Sequence, residues 1–222
     1  MALPQPPPHT RDWLDRLAAR DPDLAGIEAR AGPLPWRVRP AGYPGLLQAI
    51  VGQQISNQAA AAIWRRVVAL PGAIDPAGLL ALSDEALRGA GLSRPKIAHA
   101  RALATAFAEG RLDAETLELM DDEAAIVAIS AVRGLGRWTA EVYLLFALGR
   151  PDVFPAADLA LAAAAADLKG LPERPPPPVL RTLAETWRPW RGLAARLLWH
   201  HWRHINGRPT VDDVPLVSAT GA

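Results

Sequence analysis

Residues 132–140 are Val132-Arg133-Gly134-Leu135-Gly136-Arg137-Trp138-Thr139-Ala140. Two glycines one residue apart stand directly before an apolar run with helical spacing, made of Trp138, Val142, Leu145 and Phe146. This pattern predicts a tight turn that leads into a helix N-terminus. Such a turn exposes backbone N–H groups, and the helix dipole favours negative charge beside them. The stretch therefore predicts either an anion-binding hairpin or an ordinary connection between two helices.

Composition limits the class of protein. The chain has 222 residues, of which 50% are apolar, enough for a sizeable core in one large or two small domains. No apolar run approaches the ~20 residues that span a bilayer, and the proline-rich start lacks a signal pattern, so we expect a folded cytoplasmic protein. The sequence contains no cysteine. This excludes disulfides, thiolate zinc sites, a cysteine nucleophile and a cysteine-held iron–sulfur cluster.

Charge is distributed unevenly, although the net charge is only +1. Residues 109–123 carry seven acids and one arginine, whereas residues 181–208 carry six arginines and one glutamate. This asymmetry predicts either a basic face in the second segment or a mixture of solvated helix faces.

Helical periodicity without sustained alternation predicts an all-α protein of about ten short helices. We expect Thr10, Ser56 or Asn57, and Ser83 to cap helices. The predicted helices cover residues 11–20, 22–29, two segments within 43–70 interrupted at 52–56, 75–82, 83–90, 93–109, 121–130, 137–149, 159–168, 179–187 and 192–206.

Two sites near helix starts have polar residues suited to nucleic acid. Gln53 and Gln54 fall at a corner between two predicted helices, where both amides would point outward. They are either ordinary polar corner residues or groups that hydrogen-bond base edges and wedge into a duplex. Residues 93–96 (Ser-Arg-Pro-Lys) begin another helix and offer a second phosphate contact.

Asp158 has two interpretations. It is placed to cap the helix that begins at Leu159, or its carboxylate faces a cleft and takes part in chemistry. The second gains weight because Asp158 follows Trp138 by 20 residues. A helix from residue 137 to 149 rises roughly 20 Å, and the following connector is long enough to return the chain toward the hairpin.

Aromatic and histidine residues concentrate late in the chain. The protein has eight tryptophans, and Trp187, Trp190, Trp199 and Trp202 lie in the arginine-rich segment. Indole faces bind flat cationic rings, but large aromatic side chains also serve as core. His200 and His204 share a helix face, yet two histidines without a third ligand are weak support for a metal site.

Several of these signals occur together in one known order. Residues 49–56, 91–96, 132–140, 152–159 and 187–191 follow one another as in the helix-hairpin-helix (HhH-GPD) DNA glycosylase superfamily. The chain most resembles the 3-methyladenine DNA glycosylase II branch, which removes alkylated purines. The resemblance covers roughly residues 43–205. It implies an all-α, two-lobed fold with a cleft between the lobes and no extra N-terminal β domain.

The resemblance also implies a domain plan. Residues 10–42 and 150–208 would form one lobe, and residues 43–149 a central lobe that contains the hairpin 132–140. The prolines at positions 4, 6, 7 and 8 predict that residues 1–9 are a disordered lead-in, and residues 209–222 would be a tail.

The resemblance assigns roles to particular residues. Asp158 would be catalytic, with Trp138, Trp199, Val142 and Leu159 around the base and Gln54, beside Gln53, as the wedge. The hairpin would grip a DNA phosphate through Gly134, Leu135, Gly136, Arg137 and Thr139. Members of the family often hold a monovalent cation there, here Na⁺ or K⁺ on the carbonyls of Ser130, Val132 and Leu135.

The implied activity is that of a monofunctional DNA-3-methyladenine (alkylpurine) glycosylase of base excision repair. It would act as a monomer on double-stranded DNA with alkylated bases, without a required cofactor. Bifunctional relatives carry a lysine where this chain has Trp138, and an indole cannot form a Schiff base, so no lyase step is expected. Ala157 departs from the family, whose members often have a second acid or a glycine there.

Two alternatives to this activity remain at the level of sequence. The chain could be a non-catalytic helix-hairpin-helix module that binds distorted DNA. It could also be a glycosylase for another lesion, such as hypoxanthine or a mismatched pyrimidine.

Overall fold

The structure is a computed structural model that describes residues 5–208. Within that range it contains thirteen α-helices, one 3₁₀ turn at Glu185–Trp187 and no β-strand. The helices are α1 Thr10–Arg20, α2 Pro22–Ala31, α3 Gly42–Gly52, α4 Asn57–Val68, α5 Pro76–Ala81, α6 Asp84–Gly89, α7 Arg94–Ala108, α8 Ala114–Leu119, α9 Asp122–Ser130, α10 Arg137–Phe146, α11 Leu159–Leu168, α12 Pro177–Ala184 and α13 Arg191–Ile205.

The all-α prediction is confirmed, with one helix missed and one cap misplaced. Helix α8 was not predicted, although Asp113 caps it by accepting the amide of Thr116 at 2.8 Å. Ser56 and Ser83 cap α4 and α6 as predicted, each accepting an amide hydrogen bond of 3.2 Å. Thr10 does not cap α1. It lies in the first turn, after His9, and its hydroxyl is buried without a hydrogen-bond partner in residues 5–208.

The described residues form two compact units, with the division inside α10, after Tyr143. The central unit comprises residues 39–143, and α7 packs there against α3 and α5. Its largest fully buried side chains are Leu46, Leu47, Ile50, Leu79, Leu87, Leu103, Leu117 and Ile129. The amide of Gly42 donates to the hydroxyl of Tyr143 at 2.7 Å and so fixes the start of α3.

The terminal unit comprises residues 5–38 and 144–208, and α13 packs there against α11 and α2. Leu145 belongs to the apolar core of this unit. For that reason the division lies before the last turn of α10 and not at Gly149, where the sequence placed it. The predicted lead-in falls partly outside the described residues, and the tail 209–222 falls wholly outside them.

A buried polar cluster joins the ends of the terminal unit. The carboxylate of Asp21 accepts hydrogen bonds from Lys169 Nζ at 2.7 and 2.8 Å and from Trp187 Nε1 at 2.7 Å. The Trp187 ring is fully buried. This cluster ties α2 to residues far along the chain.

Among residues 5–208, no helix has the length and apolar character that a bilayer crossing requires.

Candidate functional site

The hairpin is a turn between α9 and α10, in the central unit. The amide of Leu135 donates to the carbonyl of Val132 at 3.0 Å, and the amide of Ala140 donates to the carbonyl of Gly136 at 3.1 Å. Gly136 therefore starts the hydrogen-bond ladder of α10. The first amides of a helix have no acceptor within it, so this turn presents donors and a positive dipole end to solvent. Leu135 is buried and anchors the turn, whereas Gly136 is exposed.

Gly134 is held in a conformation that only glycine adopts easily, and His99 of α7 lies against it. Its φ is +93°, and a Cβ added there would lie 2.2 Å from Cγ of His99. The Nδ1 atom of His99 is buried and has no hydrogen-bond partner in residues 5–208. The imidazole ring therefore packs against the turn, and any side chain at position 134 would displace either the ring or the turn.

Arg137 braces the hairpin with its side chain. Its guanidinium donates to both carboxylate oxygens of Glu123 at 2.7 Å each, and its Nε donates to Glu141 at 2.9 Å. The bond to Glu123 raises the pKa of Arg137 above its ordinary value. The side chain of Thr139 is buried. At these two positions we therefore expect a phosphate to contact the backbone amides and not the side chains.

Oxygen atoms that suit a monovalent cation lie at the start of the turn. The Val132 carbonyl accepts only the Leu135 amide among the backbone bonds outside helices, which leaves a lone pair. The hydroxyl of Ser130 is buried without a hydrogen-bond partner in the described chain. Backbone carbonyls are suitable ligands for K⁺, so the residues present fit the cation that the resemblance implies.

The corner between α3 and α4 is tied to the hairpin. Nε2 of Gln53 donates to the carbonyl of Gly134 at 2.8 Å, so the expectation that both amides point outward is wrong for Gln53. The physical reason is that the carbonyl of Gly134, exposed by the glycine turn, needs a hydrogen-bond donor. Gln54 is exposed and has a left-handed backbone, with a φ of +58°. Such strain in a non-glycine residue is often found at functional positions.

Lys96 supports the same corner from α7. Its Nζ donates to the carbonyl of Val51 at 2.6 Å, and burial lowers its pKa below the usual value. The lysine of the predicted second phosphate contact is therefore directed to the end of α3. Arg94 of the same motif is exposed.

Asp158 and Trp199 come together in the terminal unit. Oδ1 of Asp158 accepts the amides of Ala160 at 2.8 Å and Leu161 at 2.9 Å, and the indole N–H of Trp199 at 3.2 Å. The carboxylate thus caps α11 and is also held from α13. The Trp199 ring is half-buried and lies 5.5 Å from the Phe146 ring. The Asp158 carboxylate can cap α11 and also take part in chemistry, because the three donors fix its orientation.

The other residues expected around the base differ in exposure. Trp138, in the first turn of α10, is 42% exposed, and Leu159, in the first turn of α11, is 73% exposed. Val142 is buried at 3% exposure and contributes to the core of the central unit. Both side chains are therefore accessible from solvent, as are other large apolar side chains of the described residues such as Leu119, which is 88% exposed.

Two of the six arginines in residues 181–208 pair with acids, and a third is buried. Arg188 and Arg191 both pair with Asp152 and with Glu185. Arg196 is buried at 5% exposure. The prediction of a basic face therefore does not extend to these three residues. His200 contacts the carbonyl of Gly32 and His201 contacts Asp167, and residues 5–208 contain no group of three or more His, Cys, Asp or Glu residues that could hold a metal ion.

The partners that shape the hairpin are not apparent from the sequence. His99 and Glu123 act on it from α7 and α9, and neither carries a local signal of this role. A single sequence shows the spacing of residues along a helix but not which helix they will face. The glycine at position 134 was the only hint that another group approaches closely.

Comparison with known proteins identifies one family. The model of the "HhH-GPD superfamily base excision DNA repair protein" family matches residues 47–189, more than half of the chain. The DNA-3-methyladenine glycosylase 1 of Schizosaccharomyces pombe is 32% identical over 161 residues, which cover 71% of this chain and 71% of that protein.

Solved structures are similar over most of the chain. A DNA-3-methyladenine glycosidase from Bacillus halodurans has a TM-score of 0.78 and 33% identity, covering 89% of this chain and 92% of that one. The 3-methyladenine DNA glycosylase of Schizosaccharomyces pombe, in complex with abasic DNA, has a TM-score of 0.78 and 27% identity. In that comparison 90% of this chain and 99% of the other are covered.

Proposed function

Because the chain belongs to the HhH-GPD superfamily of base excision DNA repair proteins, in its 3-methyladenine DNA glycosylase branch, we propose that it releases alkylated purines from double-stranded DNA by hydrolysis. The observation that carries the proposal is the placement of Asp158. Its Oδ1 atom accepts two amides of α11 and the indole N–H of Trp199. A carboxylate held in this way is oriented before any substrate arrives.

Asp158 is the group that assists bond cleavage. As the bond between C1′ and the base nitrogen breaks, the electron pair leaves with the base and the deoxyribose gains oxocarbenium character. The aspartate stabilises this charge and accepts a proton from the water that attacks C1′. The reaction then yields the free base and an abasic sugar. Preorganisation of the carboxylate matters because no reorientation is needed as charge develops.

The base itself needs aromatic contacts more than an acid. An alkylated purine often carries positive charge, which makes it a good leaving group and attracts the electron-rich face of an indole. Trp138 and Trp199 supply these faces, and Val142 and Leu159 supply apolar surface around them. The exposure of Trp138 and Leu159 supports this role, since both side chains remain accessible in the free protein.

The hairpin binds a phosphate of the DNA backbone through main-chain donors. Gly134 and Gly136 allow close approach, Leu135 anchors the turn, and Arg137 and Thr139 contribute backbone N–H groups at the positive end of α10. A Na⁺ or K⁺ ion on the oxygens of Ser130, Val132 and Leu135 would add positive charge beside the phosphate. Its binding requires no side-chain carboxylate.

Gln54 fills the gap that a flipped nucleotide leaves. Chemistry on a base requires its extrusion from the stack, and a polar side chain at an exposed corner can occupy the vacated space. The bond from Gln53 to Gly134 holds this corner at a fixed distance from the phosphate-binding turn. Gripping the backbone and wedging the duplex are thereby coupled within the central unit.

The glycosylase is monofunctional and acts as a monomer. Strand cleavage by a bifunctional enzyme needs an amine that forms an imine with C1′, and position 138 carries an indole. Trapping with borohydride during turnover is the direct check. We expect no covalent adduct between the protein and DNA.

A panel of lesions tests the proposed substrate class. Duplexes containing methylated purines, hypoxanthine or a mismatched pyrimidine are incubated with the full chain, and released bases are separated by chromatography. We expect release of methylated purines at rates at least about tenfold above those of the other substrates. Binding to all duplexes without release of any base would identify a non-catalytic module, and preferential release of hypoxanthine or pyrimidine would overturn the substrate class.

A further inference from the structure

A cavity of about 230 Å³ lies in the terminal unit, at the C-terminal end of α10. Its aromatic walls are Trp13, Trp36 and Phe146, and its polar lining includes Thr10, Arg150 and Arg196. All lining residues belong to the terminal unit. The hairpin is at the other end of α10, so this cavity is not the phosphate-binding turn described above.

Arg196 is a buried cation that lies close to two aromatic rings. Its guanidinium carbon lies 4.2 Å from the Trp36 ring centre and 4.4 Å from that of Phe146. Its amino groups donate to the carbonyls of Arg37 and Leu145, each at 2.8 Å. These acceptors are neutral, and no carboxylate pairs with Arg196 within residues 5–208. Burial and the nearby Arg37 lower its pKa to about 9.

Thr10 adds a second unsatisfied polar group to the same cavity. The residue is 3% exposed, and its hydroxyl has no hydrogen-bond partner in the described part of the chain. A buried hydroxyl without a partner is costly, so it favours a ligand that accepts or donates a hydrogen bond. Because the hydroxyl of Thr10 does not cap α1, it is left for a ligand of the cavity.

The electrostatic character of the cavity selects the sign of the ligand charge. The lining contains Arg150 and Arg196 and no acidic residue. An anion would compensate the buried guanidinium, which has three N–H groups beyond the two donated to carbonyls. The Trp36 and Phe146 rings both lie within 4.4 Å of the guanidinium carbon, so the anion would approach where the rings leave N–H groups open, and a carboxylate can accept two of them.

The volume and the aromatic walls of the cavity indicate the size and shape of the ligand. Pockets for drug-sized molecules measure roughly 300–1,000 Å³, and an apolar cavity of roughly 150 Å³ accommodates benzene. A cavity between these sizes suits a single aromatic ring with one small substituent. The indole walls favour a flat ring by stacking or edge contacts.

We propose that this cavity binds a small planar aromatic carboxylate, with its ring among Trp13, Trp36 and Phe146 and its carboxylate on Arg196 and Thr10. The proposed ligand is not DNA, although the wall residue Phe146 also packs against the Trp199 ring. Benzoate is the simplest probe of this class. Benzamide has the same shape without the charge, and inorganic phosphate has the charge without the ring.

Titration of the full chain with each probe tests the proposal. Calorimetry is combined with NMR of the indole N–H groups, in which Trp13 and Trp36 are assigned from Trp→Phe variants. We expect saturable binding of benzoate with one site and shifts at both indoles. Benzamide and phosphate should bind at least about tenfold more weakly. Equal binding of benzoate and benzamide, or the absence of benzoate binding, would overturn the proposal.

Two variants locate the site, and a third serves as the matched control. Thr10→Val keeps the side-chain shape and should weaken benzoate binding by about tenfold, because a hydrogen bond to a charged group is lost. Arg196→Met should abolish binding. Thr182→Val changes an exposed threonine of α12 that does not line the cavity, and should have no effect. If Arg196→Met does not fold, Thr10→Val and the benzamide comparison still decide, and unchanged affinity in Thr10→Val contradicts the assignment.

Discussion

The indole N–H of Trp199 donates to the same oxygen of Asp158, Oδ1, that accepts the first amides of α11. One carboxylate oxygen is therefore held by donors from two helices. In the proposed reaction this arrangement makes Trp199 a positioning residue for Asp158 as well as a surface for the base. The two roles are separable, because the first needs the N–H and the second needs only the ring.

Trp199→Phe tests this separation. The variant keeps an aromatic ring and removes the donor, so we expect the single-turnover rate of base release to fall by about tenfold while affinity for damaged duplex changes little. Trp202→Phe, on the same helix, is the control and should retain the wild-type rate. An unchanged rate in Trp199→Phe would show that the hydrogen bond does not position the carboxylate.

Gly134→Ala tests the seat of the hairpin on His99. The new Cβ would lie 2.2 Å from the His99 ring, on a residue with a φ of +93°. We expect at least a tenfold loss in DNA affinity, measured by fluorescence anisotropy, and a loss of about 2 kcal/mol in the free energy of unfolding.

Two further variants control that experiment. Gly136→Ala should be tolerated better in stability, since no atom lies within 4 Å of an added Cβ. Adding His99→Ala to Gly134→Ala should restore part of the lost stability, because it removes the clash and leaves only the backbone strain. Strictly additive effects of the two substitutions would contradict the contact.

Asp21 gives the terminal unit a pH-dependent contribution to stability. Burial alone would raise its pKa, but hydrogen bonds from Lys169 and Trp187 outweigh burial and hold the pKa below its usual value. Its stabilising effect is therefore present above about pH 4, the ordinary aspartate value, and is lost as the pH falls through the lowered pKa of the folded state.

Asp21→Asn should reduce the free energy of unfolding by about 2 kcal/mol at pH 7. Urea unfolding at pH 7 and at successively lower pH measures the difference from wild type, which should shrink in acid. Asp12→Asn, at an exposed pair with Arg16, should cost less than about 0.5 kcal/mol. A difference that persists unchanged at pH 2 would contradict the role of the ionised carboxylate.

The elements that sequence could predict are those with local causes. The glycine pair before an apolar run located the hairpin, and serines before helices located two caps, because turns and caps depend on neighbours in the chain. The resemblance to the 3-methyladenine glycosylase branch, built on five such segments, is confirmed. Thr10 was misassigned for the converse reason: it lies within the first turn of α1 and lines a tertiary cavity, and its hydroxyl is buried without a partner in residues 5–208.

Contacts between distant segments were beyond sequence analysis. Gln53 turned inward because the carbonyl of Gly134, 81 residues away, needed a donor. A basic face or a mixture of solvated helix faces was expected of the last segment, yet Arg188 and Arg191 pair with Asp152 and Arg196 is buried. Each outcome depends on which helices meet, and neither spacing nor composition carries that information.

The role of Asp158 is tested most directly by the single-turnover release of 3-methyladenine from a methylated duplex, with the wild type and Asp158→Asn at saturating enzyme. Asparagine retains the size of the side chain and an oxygen for the amides of α11, so folding and DNA binding should persist. We predict a rate at least about a hundredfold below wild type, with duplex affinity within about threefold. Base release by Asp158→Asn at the wild-type rate would contradict the central claim that this carboxylate carries the chemistry.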